Sequence, residues 1–170
     1  MWTKTKAAAA LAAMALTAPA VAAPVGPPTK PPARALLVSP LAIVEIDNLD
    51  FGSATTSPLS GTLFINATTG ARTATGGVVP IASDPGQRAV FTAVGTAGRN
   101  VFINIQSPAT LDNGFGDSLL VVALTIEGSP LKVIGPLGTI TFGVGGIINV
   151  GPNQAEGVYS AEYDVVIDYF

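Results

Sequence analysis

Apolar and polar residues alternate along much of the chain with the two-residue period that places successive side chains on opposite faces of a β-strand. The segment GVYSAEYDVVIDYF (157–170) shows this period most clearly. One face carries Tyr159, Ala161, Tyr163, Val165, Ile167 and Tyr169, and the other carries Ser160, Glu162, Asp164 and Asp168. The pattern predicts a half-buried strand, and an unpaired edge of such a strand is a template for another chain.

Further strand candidates follow one another at short, regular intervals. In chain order they are GTLFINA (61–67), RTATGGVVPI (72–81), RAVFTAVG (88–95), NVFINIQ (100–106), SLLVVALTIEG (118–128) and GTITFGVGGIINV (138–150). Gly, Pro, Asn and Asp punctuate nearly every gap, and no window after residue 22 has a helical apolar stripe. We therefore predict an all-β fold, an immunoglobulin-like Greek-key β-sandwich of about seven to nine antiparallel strands. The run LLVVAL (119–124) is apolar on both faces, which is typical of a central strand buried on both sides.

The composition agrees with this fold. Glycine (19 residues) and proline (14 residues) are abundant, which disfavours helices and suits short strands joined by turns. Cysteine is absent, so the fold must be stabilised by an apolar core and not by disulfides. A mature chain of roughly 150 residues is long enough for one such core.

The N-terminal 40 residues differ from the rest of the chain. MWTKTK and the alanine-rich apolar run after it have the charge and length of a secretory signal peptide, which we assign to residues 1–22. An uncleaved anchor is the alternative, but a membrane span needs about 20 strongly apolar residues. Residues 23–40 are proline-rich and predict an extended arm before a domain at 41–170. We expect a protein that crosses the periplasm to the cell surface or beyond, without a membrane span in its mature chain.

Net charge and the residue types that are absent exclude several classes of function. Without Lys4 and Lys6 of the leader, six basic residues face eleven carboxylates, a formal net charge of −5, which argues against nucleic acid as a partner. Histidine is absent as well as cysteine, which excludes catalytic triads of the Ser-His-Asp and Cys-His types and the commonest zinc ligands. No serine, threonine or carboxylate pair has a catalytic spacing. We therefore expect neither an enzyme nor a cofactor.

Two glycine-rich segments have weak functional signals. DNGFGD (112–117) places Asp112, Asn113 and Asp117 in one turn, but it lacks the spacing of a calcium loop. We interpret it as a turn in which Asp and Asn bond their own backbone, and we predict no metal site. FGVGGIIN (142–149) has neither a phosphate-binding glycine pattern nor a following helix, so its glycines predict bends in a strand.

Most of the chain resembles a known family. VGGIINVGPNQAEGVYSAEYDVVIDY (144–169) is the most specific part, and LDFG (49–52), GTLFI (61–65), GARTATGGV (70–78) and AVFTAVG (89–95) accompany it in order. Together they resemble the secreted bacterial family known as domain of unknown function 4402, over roughly residues 36–170. The resemblance implies an exported β-sandwich and no catalytic residue.

The terminal segment also resembles the C-terminal strand of fimbrial subunits assembled by the chaperone-usher route. In that pattern a glycine is fourteenth from the end, the penultimate residue is aromatic, and apolar residues alternate between them. The matching positions are Gly157, Tyr159, Tyr163, Val165, Ile167 and Tyr169. The resemblance implies a pilus-type structural protein: an incomplete sandwich in which a periplasmic chaperone and then the arm of another copy adds the missing strand, by β-augmentation.

The candidate donor arm is Ala33–Leu41, with Ala35 and Leu37 as the side chains that would enter a neighbouring copy. The apolar triplet 36–38 and the prolines before it depart from a clean alternation. Two alternatives stay open. In the first, residues 35–39 pair with the terminal strand of their own chain, giving a self-complete adhesive surface domain. In the second, the domain binds a carbohydrate or host ligand, for which the loops offer mainly Phe115.

Overall fold

A computed structural model describes residues 34–170, which contain strands, turns and bends but no helix. None of these residues therefore forms a helix able to cross a membrane. The predicted leader (1–22) and residues 23–33 of the arm lie outside the described residues. The compact unit comprises Leu37–Phe170, and its first strand begins at Ala42.

The all-β prediction is confirmed, and every strand pair is antiparallel. The strands are β1 (Ala42–Asp47), β2 (Ala54–Thr55), β3 (Gly61–Ile65), β4 (Arg72–Gly76), β5 (Val79–Pro80), β6 (Ala89–Val94), β7 (Asn100–Gln106), β8 (Thr110–Asp112), β9 (Ser118–Ile126), β10 (Leu131–Val133), β11 (Thr139–Val150) and β12 (Asp164–Tyr169). Eight of them are at least five residues long, and NVFINIQ coincides with β7.

The long strand β11 organises the larger sheet. Its first half, Thr139–Val144, pairs with β6, which in turn pairs with β1. Its second half, Gly146–Val150, pairs with β3, which forms a hairpin with β4. The opposite edge of β11 pairs with β9, and β9 pairs with β8. One strand thus joins two groups of strands within a single curled sheet.

Glycine is required where β11 passes from β6 to β3. A Cβ atom at Gly145 would lie 2.2 Å from the carbonyl oxygen of Ile65, and one at Gly143 would lie 2.2 Å from that of Ala67. The predicted glycine bends are therefore a site of close backbone approach. Arg88 and Glu127 stabilise this corner: their side chains lie 3.2 Å apart, and Glu127 also accepts the Gly143 N–H at 3.0 Å.

The smaller sheet has the order β10-β7-β12 and packs over one half of the larger sheet. Between the two sheets lies a cluster of buried apolar residues, which we call cluster one. Its members are Ala89, Phe91, Ala93, Val101, Ile103, Ile134, Phe142, Val144 and Ile167. The rings of Phe91 and Phe142 are stacked with centroids 5.6 Å apart.

A second buried group, cluster two, lies within the curled half of the larger sheet. Its members are Leu63, Val78, Leu119, Val121, Ile148 and Val150. These residues belong to β3, β9 and β11 and to the turn after β4. No strand of the β10-β7-β12 sheet contributes a buried residue to cluster two within the described chain.

The LLVVAL segment and the terminal segment differ in detail from their predicted forms. LLVVAL lies in β9, which has neighbours on both edges, but only one of its faces is buried: Leu120 is 52% exposed and Val122 is 54% exposed. The inner residues Leu119 and Val121 are members of cluster two. The segment 157–170 is not one continuous strand, since β12 covers Asp164–Tyr169 alone. Among the described residues, the segment 157–163 has one β-bridge, between Ser160 and Asp112, and no other strand pairing.

Candidate functional site

An open cleft of about 1210 Å³ runs along the side of the sandwich. One bank consists of Ile43 and Glu45 of β1 followed by residues 48–56, and the other consists of residues 154–165. All six members of cluster two line the cleft, together with Phe91 of cluster one. The floor of the cleft is therefore the apolar core itself.

The backbone of the second bank is largely unpaired. Ser160 exchanges two hydrogen bonds with Asp112, both at 3.0 Å, and these are the only backbone pairs of residues 157–163 in the described chain. Backbone N–H and C=O groups need partners wherever water is excluded. A strand laid along this bank would provide those partners and cover the apolar floor.

The same open edge continues along β12. Phe170 donates its N–H to the Asn100 carbonyl at 3.0 Å, so the alternation of an antiparallel ladder directs the backbone groups of Val166 and Asp168 toward β7. The groups of Val165, Ile167 and Tyr169 then point to the other edge, where no described strand is paired.

The rim of the cleft is acidic. Six carboxylates line it: Glu45, Asp50, Asp84, Glu156, Glu162 and Asp164. No lysine or arginine of the described chain is among the lining residues, and the one ion pair within residues 34–170 joins Arg88 to Glu127, away from the cleft. Arg72 lies beside the first bank, where it donates to the carbonyls of Phe51 and Ser53 at 3.1 and 3.0 Å, so the six rim carboxylates have one adjacent cation and the rim keeps a net negative charge.

Tyr163 has an unpaired polar group in this cleft. Its ring contacts Phe91 edge to face, with centroids 6.4 Å apart, and its hydroxyl is buried without a hydrogen-bond partner in the described chain. Burial, with a smaller contribution from the negative charge of Glu45, raises the pKa of Tyr163 to about 12. A buried hydroxyl without a partner is unfavourable, so a polar atom brought by an occupant of the cleft would stabilise it.

Four of the six residues predicted for the assembly strand line the cleft, namely Gly157, Tyr159, Tyr163 and Val165. The other two belong to β12 beyond the end of the cleft: Ile167 is a buried member of cluster one, and Tyr169 packs against that cluster. Tyr159 is held within its own bank, where its hydroxyl donates to the Ala155 carbonyl at 2.7 Å.

Leu37, one of the two predicted donor residues, does not line the cleft; the other is Ala35. Both are exposed, and Leu37 is 90% exposed. Residues 35–39 form no strand, so they do not pair with β12 in the way that a self-complete domain requires. Ala33, the first residue of the predicted arm, lies outside the described chain.

The arm is fixed where it meets the folded unit. The Tyr169 hydroxyl donates to the Ser39 carbonyl at 2.7 Å and accepts the Thr96 N–H at 2.7 Å. The Ser39 N–H donates to the Thr96 hydroxyl oxygen at 2.7 Å. We call these three residues the clamp. Sequence reasoning assigned Tyr169 to the assembly strand, but it could not identify this contact across 130 residues of sequence.

The turn at 112–117 has the bonds expected of a self-stabilised loop. Asn113 accepts the N–H groups of Phe115 and Asp117 at 2.9 and 3.1 Å, and its amide donates to the Asp117 carboxylate at 3.1 Å. Within residues 34–170 no cluster of three or more acidic, His or Cys side chains could hold a metal ion. The side chains of this turn thus bond within the turn.

The acidic rim and the floor of the cleft were not predicted from the sequence. The rim residues come from β1, the loops near 50 and 84, and the segment 156–164, so no local spacing marks them as a group. The floor residues were predicted as ordinary core, because an alternating pattern does not reveal whether a second sheet covers them.

The family scan agrees with the sequence resemblance. The model described as "Domain of unknown function" 4402 matches residues 41–169. No curated protein and no solved structure matches the chain. The match begins one residue before β1 and ends with β12.

Proposed function

We propose that this chain, which belongs to the family known as domain of unknown function 4402, is an exported structural subunit that assembles by accepting a β-strand from another polypeptide in its cleft. The observation that carries the proposal is the coincidence of cluster two with the floor of the cleft. A core that opens along an unpaired backbone segment matches the chemistry of β-augmentation, in which main-chain bonds supply affinity and alternate side chains enter pockets.

The energetic gain supports a stable complex. An inserted strand that buries four or five apolar side chains gains about 1.5–3 kcal/mol for each of them. Its backbone would pair with residues 157–163, which would then continue β12. The sequence period over 157–170 fits this longer strand, although the single chain forms only Asp164–Tyr169.

The arm supports the choice of donor. It has a run of seven residues without proline, ARALLVS (33–39), which is the length of an ordinary strand. Leu37 and Val38 belong to the compact unit, yet they are 90% and 42% exposed. Because these apolar side chains are not buried in their own core, they are available to be buried in another copy of the chain.

Gel electrophoresis in detergent, with and without boiling, tests the proposal on the native protein. We expect a ladder at multiples of the subunit mass without boiling and a single band after boiling, because an inserted strand is protected until the domain unfolds. The variant Leu37→Asp should lose the ladder, since a charged side chain would be buried in the floor of the cleft.

A matched control is available at Leu137, which is also 90% exposed and lies in the turn before β11. The variant Leu137→Asp should form the same ladder as the native chain. A single band in the unboiled native sample would contradict the assembly proposal, and equal loss of the ladder in both variants would contradict the donor role of the arm.

A further inference from the structure

We propose that the acidic rim selects the occupant of the cleft by charge, and that Arg34 in the arm of a second copy is the residue it selects. This inference rests on the proposed function, because it specifies the partner of the same cleft. It goes beyond that function by assigning a role to the six rim carboxylates and to Arg34.

The charge distribution is the first step. Six carboxylates line the rim, and Arg72 is the one cation in the described chain that bonds to a lining residue, so a net negative charge remains around the opening and its like charges repel one another. An occupant with positive charge relieves this repulsion, whereas an acidic or neutral strand does not. Opposite charges also accelerate association, by factors of about 10 to 1000 at low salt.

The arm has the complementary charge. Residues 23–38 contain Lys30 and Arg34 and no acidic residue. Arg34 comes three residues before Leu37, so the positive charge and the apolar side chains belong to one short segment. The domain from residue 41 onward has four basic residues and all eleven carboxylates of the chain, so the arm is the part of this protein most suited to an acidic cleft.

The geometry of the single chain indicates a second copy. The clamp holds the backbone of Ser39 at both its N–H and its C=O, beside Tyr169 and beyond the residues that line the cleft. From that fixed point Leu37 faces solvent and not the chain's own cleft. The buried Tyr163 hydroxyl in the cleft still has no partner among the described residues, and a backbone carbonyl of an inserted arm would supply one.

Assembly of the full chain from dissociated subunits tests this inference, with light scattering for the rate and unboiled gels for the product. The native chain should assemble at least about tenfold faster at low salt than in about 1 M salt, where the Debye length falls to about 3 Å. Arg34→Glu should slow assembly at least about tenfold at low salt and remove most of the salt dependence. Arg34→Lys should assemble like the native chain, since it keeps the charge.

Two variants make the test specific. Arg99→Glu introduces the same change in net charge at a side chain that does not line the cleft, and it should assemble within about twofold of the native rate. The double variant Arg34→Glu with Glu162→Arg should recover part of the rate lost by Arg34→Glu, because it places a positive charge among the rim residues for the new glutamate to pair with.

The outcomes separate the two proposals. Equal slowing by Arg34→Glu and Arg99→Glu, or a ladder that forms at the same rate at every salt concentration, would overturn charge selection and leave strand insertion intact. Absence of any ladder from the native chain would overturn strand insertion and charge selection together.

Discussion

The two apolar clusters of this protein have similar residues but different surroundings. Cluster one lies between two sheets, and eight of its nine buried residues lie away from the cleft. Cluster two lies inside one curled sheet, and all six of its residues line the cleft. Alternation within strands decides which side chains point inward, but a complete core also needs a second layer over them. Over cluster one that layer is the β10-β7-β12 sheet, whereas cluster two is packed against residues outside that sheet, among them Phe51 and Tyr159 of the two banks.

The terminal segment shows the same division within fourteen residues. Asp164–Tyr169 pairs with β7 over cluster one, whereas residues 157–163 border the cleft with a single bridge. Both parts have the same alternating pattern, so the pattern does not cause the difference. The presence of a neighbouring strand does.

Hydrogen exchange should show the largest contrast between these two parts. In the single chain we expect the amides of residues 158, 159 and 161–163 to exchange almost freely, and those of Val166 and Asp168 to require opening of the sheet. The difference in opening free energy should be on the order of 5 kcal/mol, at the lower end of global stability. Mass spectrometry of exchanged peptides measures it, and assembly should slow exchange in residues 157–163.

The turn at Gly114 and Phe115 lies outside the cleft lining and provides an internal control, because its exchange should not change on assembly. Strong protection of residues 157–163 in the single chain would show that the second bank is already paired. It would contradict the expected difference in exchange between this segment and β12.

A matched pair of core substitutions should give the next largest effect. Ile103 in cluster one and Ile148 in cluster two are each 2% exposed. Ile103→Ala should destabilise the single chain by about 4 kcal/mol, and Ile148→Ala by about 2 kcal/mol, because a new cavity costs less where the site already borders open space. Urea unfolding of both variants measures the difference in unfolding free energy.

Assembly should change the difference in destabilisation between Ile103→Ala and Ile148→Ala. Once a strand covers the cleft, Ile148→Ala should become nearly as destabilising as Ile103→Ala. Equal effects in the unassembled chains would mean that cluster two is as completely packed as cluster one.

The smallest effect concerns Tyr163 and pH. Its folded pKa of about 12 lies above the ordinary tyrosine value of about 10, so the folded state holds the proton more tightly. The resulting stability is present below pH 10 and is lost as the pH rises through 12. Because the side chain is half-exposed, we expect no more than about 1 kcal/mol.

Urea unfolding at about pH 8 and about pH 11 should show a smaller loss of stability in Tyr163→Phe than in the native chain. At the lower pH that variant should be neutral or slightly stabilised, since its unpaired hydroxyl is gone. Tyr159→Phe is the comparison: it loses its bonds to Ala155 and Gln154 and should be destabilised by about 1 kcal/mol. Identical pH dependence of Tyr163→Phe and the native chain would contradict the role of burial at Tyr163.

Much of the fold could be predicted from the sequence, because strand period and turn residues are local signals. NVFINIQ coincides with β7, and the predicted strand at 138–150 differs from β11 by one residue. Strands of two or three residues, such as β8 and β10, were missed because two or three positions are too few to show an alternating pattern. RTATGGVVPI was predicted as one strand and is two, since Gly76 has a positive φ of 65° that ends β4.

The candidate site was predictable only on the side that has a local pattern. The alternation at 157–170 identified one bank of the cleft. The other bank, the rim carboxylates and the contact between Ser39 and Tyr169 depend on contacts between residues far apart in sequence. The spacing of residues along the sequence does not reveal such contacts. Apolar residues alone also do not show whether another element packs on them, which is why the exposed face of β9 was predicted to be buried.

The clamp also determines how a chain of such subunits would carry load. Tension on the arm enters the domain at Ser39, from which the covalent chain continues to β1 and hydrogen bonds branch to Thr96, after β6 in the larger sheet, and to Tyr169, in β12 of the smaller sheet. Both layers of the sandwich are therefore pulled together at one point. A force along an assembled fibre would therefore act on both sheets of each domain together before it could separate any one strand from its sheet.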